Sequence, residues 1–184
     1  MKPDLIEAGY FAKHIVAAPD WLQAPSVREI CSASHCVSHA PDDWISHWLH
    51  NEFGWFNHAA DALVTIPPDH RGAYRLFAYR MFPTLFRGGD RHAIRIPADV
   101  HPDPIAPTFV SLGFDSISKS MESVLGFECS PLSCNSIASE ITTNEHCLFR
   151  SLDEALDGAM RFSIEQPEPG DYYVVEVLEE RHAA

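Results

Sequence analysis

The segment from Pro97 to Pro107, "PADVHPDPIAP", limits the fold more than any other, because it holds four prolines in eleven residues. Each proline fixes φ and removes a backbone donor, so neither a helix nor an inner strand can run through it. The segment is therefore an extended crossover loop at 97–107. Cutting a chain of 184 residues there would leave two pieces whose apolar strands each lack a partner face, and each piece would be under about 100 residues, small for an independent core. Residues 1–184 are accordingly read as one domain.

Before the crossover, "YFAKHIVAAP" and "VREICSAS" have the composition of short strands, separated by the prolines of "PDWLQAPS". "PDDWISHWLHNEFGWF" predicts a helix: Asp42 and Asp43 suit its positive end, Trp44, Ile45, Trp48, Leu49 and Phe53 recur at helical spacing, and Gly54 can end it. "GAYRLFAYRMFPTLFRGGDRHAIRIP" reads as a hairpin of buried strands with its turn at "RGGD". After the crossover, "FVSLGFDSISKS" predicts a strand, "SIASEI" a short helix capped by Ser133 or Asn135, and "HCLF" a strand. Ser151 and Glu154 form a capping box ahead of an apolar stripe of Leu152, Ala155, Leu156, Ala159 and Phe162. "EQPEPG" stops that helix and "DYYVVEVLEE" follows as a strand. The expected fold is α+β, a mixed or antiparallel sheet with two to three helices packed on it.

Charge narrows the function. A formal charge of −13 repels phosphate backbones and anionic lipid surfaces, which excludes nonspecific nucleic-acid binding and favours a protein partner, in particular a basic one. The charge is also segregated: six arginines lie between Arg71 and Arg95 with Asp90 the one acid, whereas nine acids lie between Asp153 and Glu180 with Arg161 the one base. The two segments are expected to be neighbours that neutralise each other, in preference to a dedicated anion site at Arg75 and Arg80. No apolar run approaches the ~18 residues of a membrane span. Asp4 and Glu7 interrupt the apolar core a signal peptide would need. Five cysteines is an odd number, which fits free thiols in a reducing compartment, most simply the cytoplasm.

Three places offer chemistry. Cys31–Cys36 and Cys129–Cys134 repeat one spacing, and "CSASHCVSH" adds His35 and His39 to Cys31 and Cys36, four ligands of two types that suit Zn²⁺. A five-residue offset aims thiols less well than a C-x2-C turn, so no metal is expected, zinc being the first alternative. Asp43, His47 and His50 would share one face of the tryptophan helix and are read as a solvated face. In "FECSPLSCNS", Cys134 would stand at the start of the "SIASEI" helix, where the dipole favours a thiolate, and is expected to have the lowest thiol pKa of the five. There Cys134 would be a nucleophile, His146 its base and Asn135 a carbonyl-orienting group, with Cys129, Ser130 and Ser133 lining the bound ligand.

The chain carries no phosphate-binding glycine loop, G-x-S-x-G elbow, H-E-x-x-H or C-x-x-C pair. The expected function is thus that of an acidic cytoplasmic macromolecule-binding protein of accessory, inhibitor or immunity type. The alternative is a thiol-dependent enzyme built on the "FECSPLSCN" loop, with a metal nearby.

Overall fold

A computed structural model of the protein describes residues 4–37, 40–41, 44–47, 49–120, 126–134 and 136–181, the side chains of 46, 47 and 136 excepted. In chain order the elements are β1 (Ile6–Lys13), β2 (Val16–Ala17), β3 (Glu29–Ile30), α1 (Ala59–Val64), β4 (Arg75–Arg87) and β5 (Asp90–Ala93). They continue with β6 (Phe109–Lys119), α2 (Pro131–Cys134), α3 (Leu152–Glu165) and β7 (Asp171–Glu180). The fold is α+β, and its sheet is antiparallel throughout, in the order β1-β4-β7-β6 with β5 pairing β4 beyond β1.

The two central strands are those with apolar residues on both faces, as burial on both sides requires. Tyr172, Val174, Val175, Val177 and Leu178 of β7 and Phe77, Ala78, Tyr79, Met81 and Phe86 of β4 are all buried. Between β4 and β5 the turn at Gly88 and Gly89 has φ of +56° and +88°, the doubly left-handed geometry of a tight hairpin that glycine adopts without strain. Antiparallel pairing of β4 with β7 then sets the arginine-rich segment beside the acidic one. Arg80 lies opposite Glu176, and Arg75 and Arg87 form ion pairs with Glu179 and Asp171.

One face of the sheet is covered by α3. Ser151 caps it by accepting from the Glu154 amide at 3.2 Å, and Ala155, Ala159 and Phe162 pack against Phe86, Phe149, Tyr172 and Val174. The other face is covered largely by irregular chain rich in aromatic rings: Trp44, Phe53, Trp55, Phe56 and Phe127 close over Phe11, Tyr79, Val175 and Val177. Residues 94–108 carry no regular element and run from β5 across the sheet to β6, tied down by Tyr10 donating to the Asp103 carbonyl and by the Ile105 amide on Glu7.

Two expectations are corrected. The described residues of 41–56 form no α-helix and have a single 3-10 turn, Trp44–His47. The chain is held instead by Asn51, whose side-chain oxygen accepts from the Phe53 and Trp55 amides while its amide donates to Ala8 and Asn57. Phe56 then bridges to Tyr10 of β1, so burying four rings against the sheet outweighs a weak helical preference. "HCLF" is not a strand either: Cys147 has φ of +61°, and Phe149 alone reaches β6, as a bridge to Phe114. α1 and the 3-10 turn Pro68–Ala73 were not anticipated. Among the described residues no helix is long and apolar enough to cross a membrane.

Candidate functional site

The two cysteine spacings that echo each other are built around one buried carboxylate. In both "CSASHC" and "CSPLSC" a serine follows the first cysteine. Asp115 of β6, with no exposure to solvent, accepts from the Ser32 hydroxyl at 2.7 Å and the Ala33 amide at 2.9 Å on one oxygen, and from the Ser130 hydroxyl at 2.6 Å on the other. Each oxygen thus holds one cysteine segment, and the His35 amide joins them directly by donating to the Phe127 carbonyl. Lys13, also buried, donates to the carbonyls of Ser32 and Ser34. Burial pushes Asp115 up and its hydrogen-bond donors oppose this; burial pushes Lys13 down to about 7.

This clamp delivers Cys36 to Cys129 and Cys134. The three sulfurs lie within 4.8 Å of one another, with Cys36 exposed and the other two half-buried. Cys129 is fixed by its carbonyl, which accepts from the Ser118 amide of β6 at 2.8 Å, and α2 turns the chain so that Cys134 returns to the same side. Cys31 belongs elsewhere. It is buried next to His146, whose Nδ1 is 2.7 Å from Glu29 and 4.0 Å from the Cys31 sulfur, and Glu29 is paired to Arg75 at 2.7 Å.

Several sequence-derived assignments change accordingly. His146 is not beside Cys134; its ring meets Glu29, Cys31 and Glu145. Cys134 ends the single turn α2 and is followed by only one 3-10 turn, Ser136–Ser139, too short to carry a substantial dipole; hydrogen bonding with Cys129 together with burial pushes its thiol up, so the expected thiolate is not favoured there. Burial and the Cys134 thiol push Cys36 up to about 11, burial raises Cys147 to about 12, and burial with the Glu29 charge pushes Cys31 higher still. Ser133 is buried and its hydroxyl points to the Ser130 carbonyl at 3.4 Å.

The grouping of Cys31, His35, Cys36 and His39 is also broken up. His35 packs as an aromatic residue, its ring 4.9 Å from Trp44 and 4.8 Å from Phe11, and burial with the Lys13 charge holds it well below the usual histidine value. His39, Asn135, Asp43 and the His47 side chain lie outside the described residues. His50 sits edge-on to Trp44 at 5.2 Å. Arg75 is engaged by Glu29 and Glu179, and Arg80 by Glu176 at 3.4 Å. Asp115, Lys13 and Glu29, which organise these clusters, were missed. The one available signal was the serine repeated after Cys31 and Cys129.

A second feature is a groove of about 1220 Å³ on the α3 face, where the sheet extends past the start of that helix. Its floor follows one cross-strand row, Glu7, Arg80, Glu176 and Phe114, from β1 to β6. Asp4 and Asp153 stand at its rim, and Ile6 and Leu152 add apolar wall. Arg80 and Glu176 satisfy each other; Asp4, Glu7 and Asp153 have no Lys or Arg partner among the described residues. A smaller hollow of about 700 Å³ has Arg87, Arg95 and Lys119 balanced by Glu52, Asp99 and Asp171, and so has no preferred sign.

No family model, curated protein or solved structure matches this chain.

Proposed function

We propose that the protein binds a basic segment of a protein partner in the acidic groove beside the N-terminal end of α3. The observation that carries this is the sign of the groove: its one arginine is paired with Glu176, and the other acids of its lining, Asp4, Glu7 and Asp153, have no Lys or Arg ion-pair partner among the described residues. A lysine- or arginine-bearing segment would meet these acids at the rim while its aliphatic stems lie on Ile6, Leu152 and Phe114. The net charge of −13 would steer such a partner from a distance, and the five unpaired cysteines suit a reducing compartment such as the cytoplasm. An accessory, inhibitor or immunity role is the kind of activity such binding serves.

The test uses a lysine-rich peptide and a neutral peptide of equal length, measured against the full chain by calorimetry and stopped flow. The lysine-rich peptide should bind, its association should slow clearly between low and physiological salt, and Asp4→Lys with Asp153→Lys should weaken it about tenfold, as two rim charges on a partly solvated surface allow. Equal affinity for the neutral peptide, or indifference to the two charge reversals, would sink the reading.

A further inference from the structure

We infer that Cys36, Cys129 and Cys134 form a soft-metal site that takes one Zn²⁺ through three thiolates. Three sulfurs within 4.8 Å of one another are close to what the ion needs, since thiolates at about 2.3 Å from a tetrahedral zinc lie about 3.8 Å apart. The contraction required is small, and the Cys36 side chain is exposed. Its exposure also gives the ion a way in.

The neighbouring groups are arranged to hold the ligands. Asp115 accepts from Ser130, directly after Cys129, at 2.6 Å and from Ser32, four residues before Cys36, at 2.7 Å, so one carboxylate ties together the two segments that carry the three sulfurs. Preorganisation of ligand-bearing segments by such outer contacts is what raises metal affinity at protein sites. Three protein ligands leave the fourth tetrahedral position to water or an exogenous donor, the pattern of a site that exchanges ligands and not of a closed structural one.

A competing cluster, Glu29, Cys31 and His146, also brings three donor atoms within 4.8 Å. It is complete without an ion. The Arg75 guanidinium already neutralises Glu29 at 2.7 Å and would repel a divalent cation, and Cys31 is 1% exposed, which closes the path to it.

Binding must release protons, because thiols ligate as thiolates: three Cys–SH and one Zn²⁺ give a zinc tris-thiolate and three H⁺ passed to buffer. The experiment uses reduced, chelator-stripped full chain, with Zn²⁺ alone as the calorimetric probe and Co²⁺ as a spectroscopic one. The expected result is one metal per chain, thiolate-to-cobalt charge-transfer absorption, and about three protons released per zinc in buffers of different ionisation enthalpy. Cys36→Ser, at an exposed position, should fold and weaken zinc at least tenfold, whereas Cys31→Ala should leave affinity within about twofold. Circular dichroism confirms that each variant is folded before it is scored. Substoichiometric binding, no charge-transfer band, or affinity indifferent to Cys36→Ser overturns the site. Loss through Cys31→Ala alone would overturn it in favour of the Glu29 cluster.

Discussion

Lys13 and Asp115 are both closed off from solvent and meet through Ser32: the ammonium donates to the Ser32 carbonyl at 2.7 Å, and the carboxylate accepts from the Ser32 hydroxyl at 2.7 Å. Removing one partner of such a buried pair leaves an uncompensated charge. Lys13→Met should cost about 3–5 kcal/mol of stability in urea unfolding. Adding Asp115→Asn removes the stranded charge, so the double variant should be more stable than Lys13→Met alone. If the loss in the double variant equals the sum of the losses in Lys13→Met and Asp115→Asn measured singly, the two groups are not coupled.

Arg75 holds Glu179 with two of its nitrogens and Glu29 with a third, joining β4 to β7 and to β3. Arg75→Ala should destabilise by about 2 kcal/mol, the range for hydrogen bonds to charged groups. Arg75→Lys should recover less than half, because an ammonium lacks the planar fork. Full recovery by lysine would show that charge alone matters at this junction.

Glu29 supplies a pH dependence with a defined sign. Burial would push its carboxyl up, but hydrogen bonds from Arg75 and His146 and the Arg75 charge hold it below the ordinary 4.5. A depressed folded value means that Glu29 contributes its stability above about pH 4.5 and loses it as pH falls through the folded value. The stability gap between wild type and Glu29→Gln should therefore be full at neutral pH and shrink in acid. Urea midpoints measured from pH 7 to pH 2 would show this, and a gap constant with pH would exclude it.

Gly158 lies on α3 under Phe149, and a Cβ there would come within 2.4 Å of the Phe149 ring. In an exposed helix Gly→Ala gains about 1 kcal/mol. Here overpacking against a buried ring works against that gain by about 1–3 kcal/mol. Gly158→Ala should thus be neutral to destabilising by about 2 kcal/mol, and a clear rise in melting temperature would mean that Phe149 moves freely.

Much of the fold was legible because its signals are local. The two-residue turn at "RGGD", the Ser151 cap with its apolar stripe, and the doubly apolar β7 are each written in contiguous residues, and each has the physical effect its composition predicts. The pairing of arginines with acids was also legible, since opposite charges in such numbers must meet. The run 41–56 was not, because its tryptophan spacing suits a helix and a ring-lined loop equally; Asn51 and the bridge from Phe56 to Tyr10 decided between them.

What the sequence by itself determined is therefore the α+β class, the hairpin, the crossover, the closing helix and strand, and the sign of the surface. Only the tertiary structure decided which thiols share a site. Cys36 joins Cys129 and Cys134 and parts from Cys31, because Asp115 of β6 accepts from Ser32, 83 residues away in the chain, and from Ser130 at once. Spacing along the chain governs how one segment turns, and a shared hydrogen-bond acceptor governs which segments meet. The second is a property of the folded core, where an unsatisfied carboxylate is too costly to leave alone.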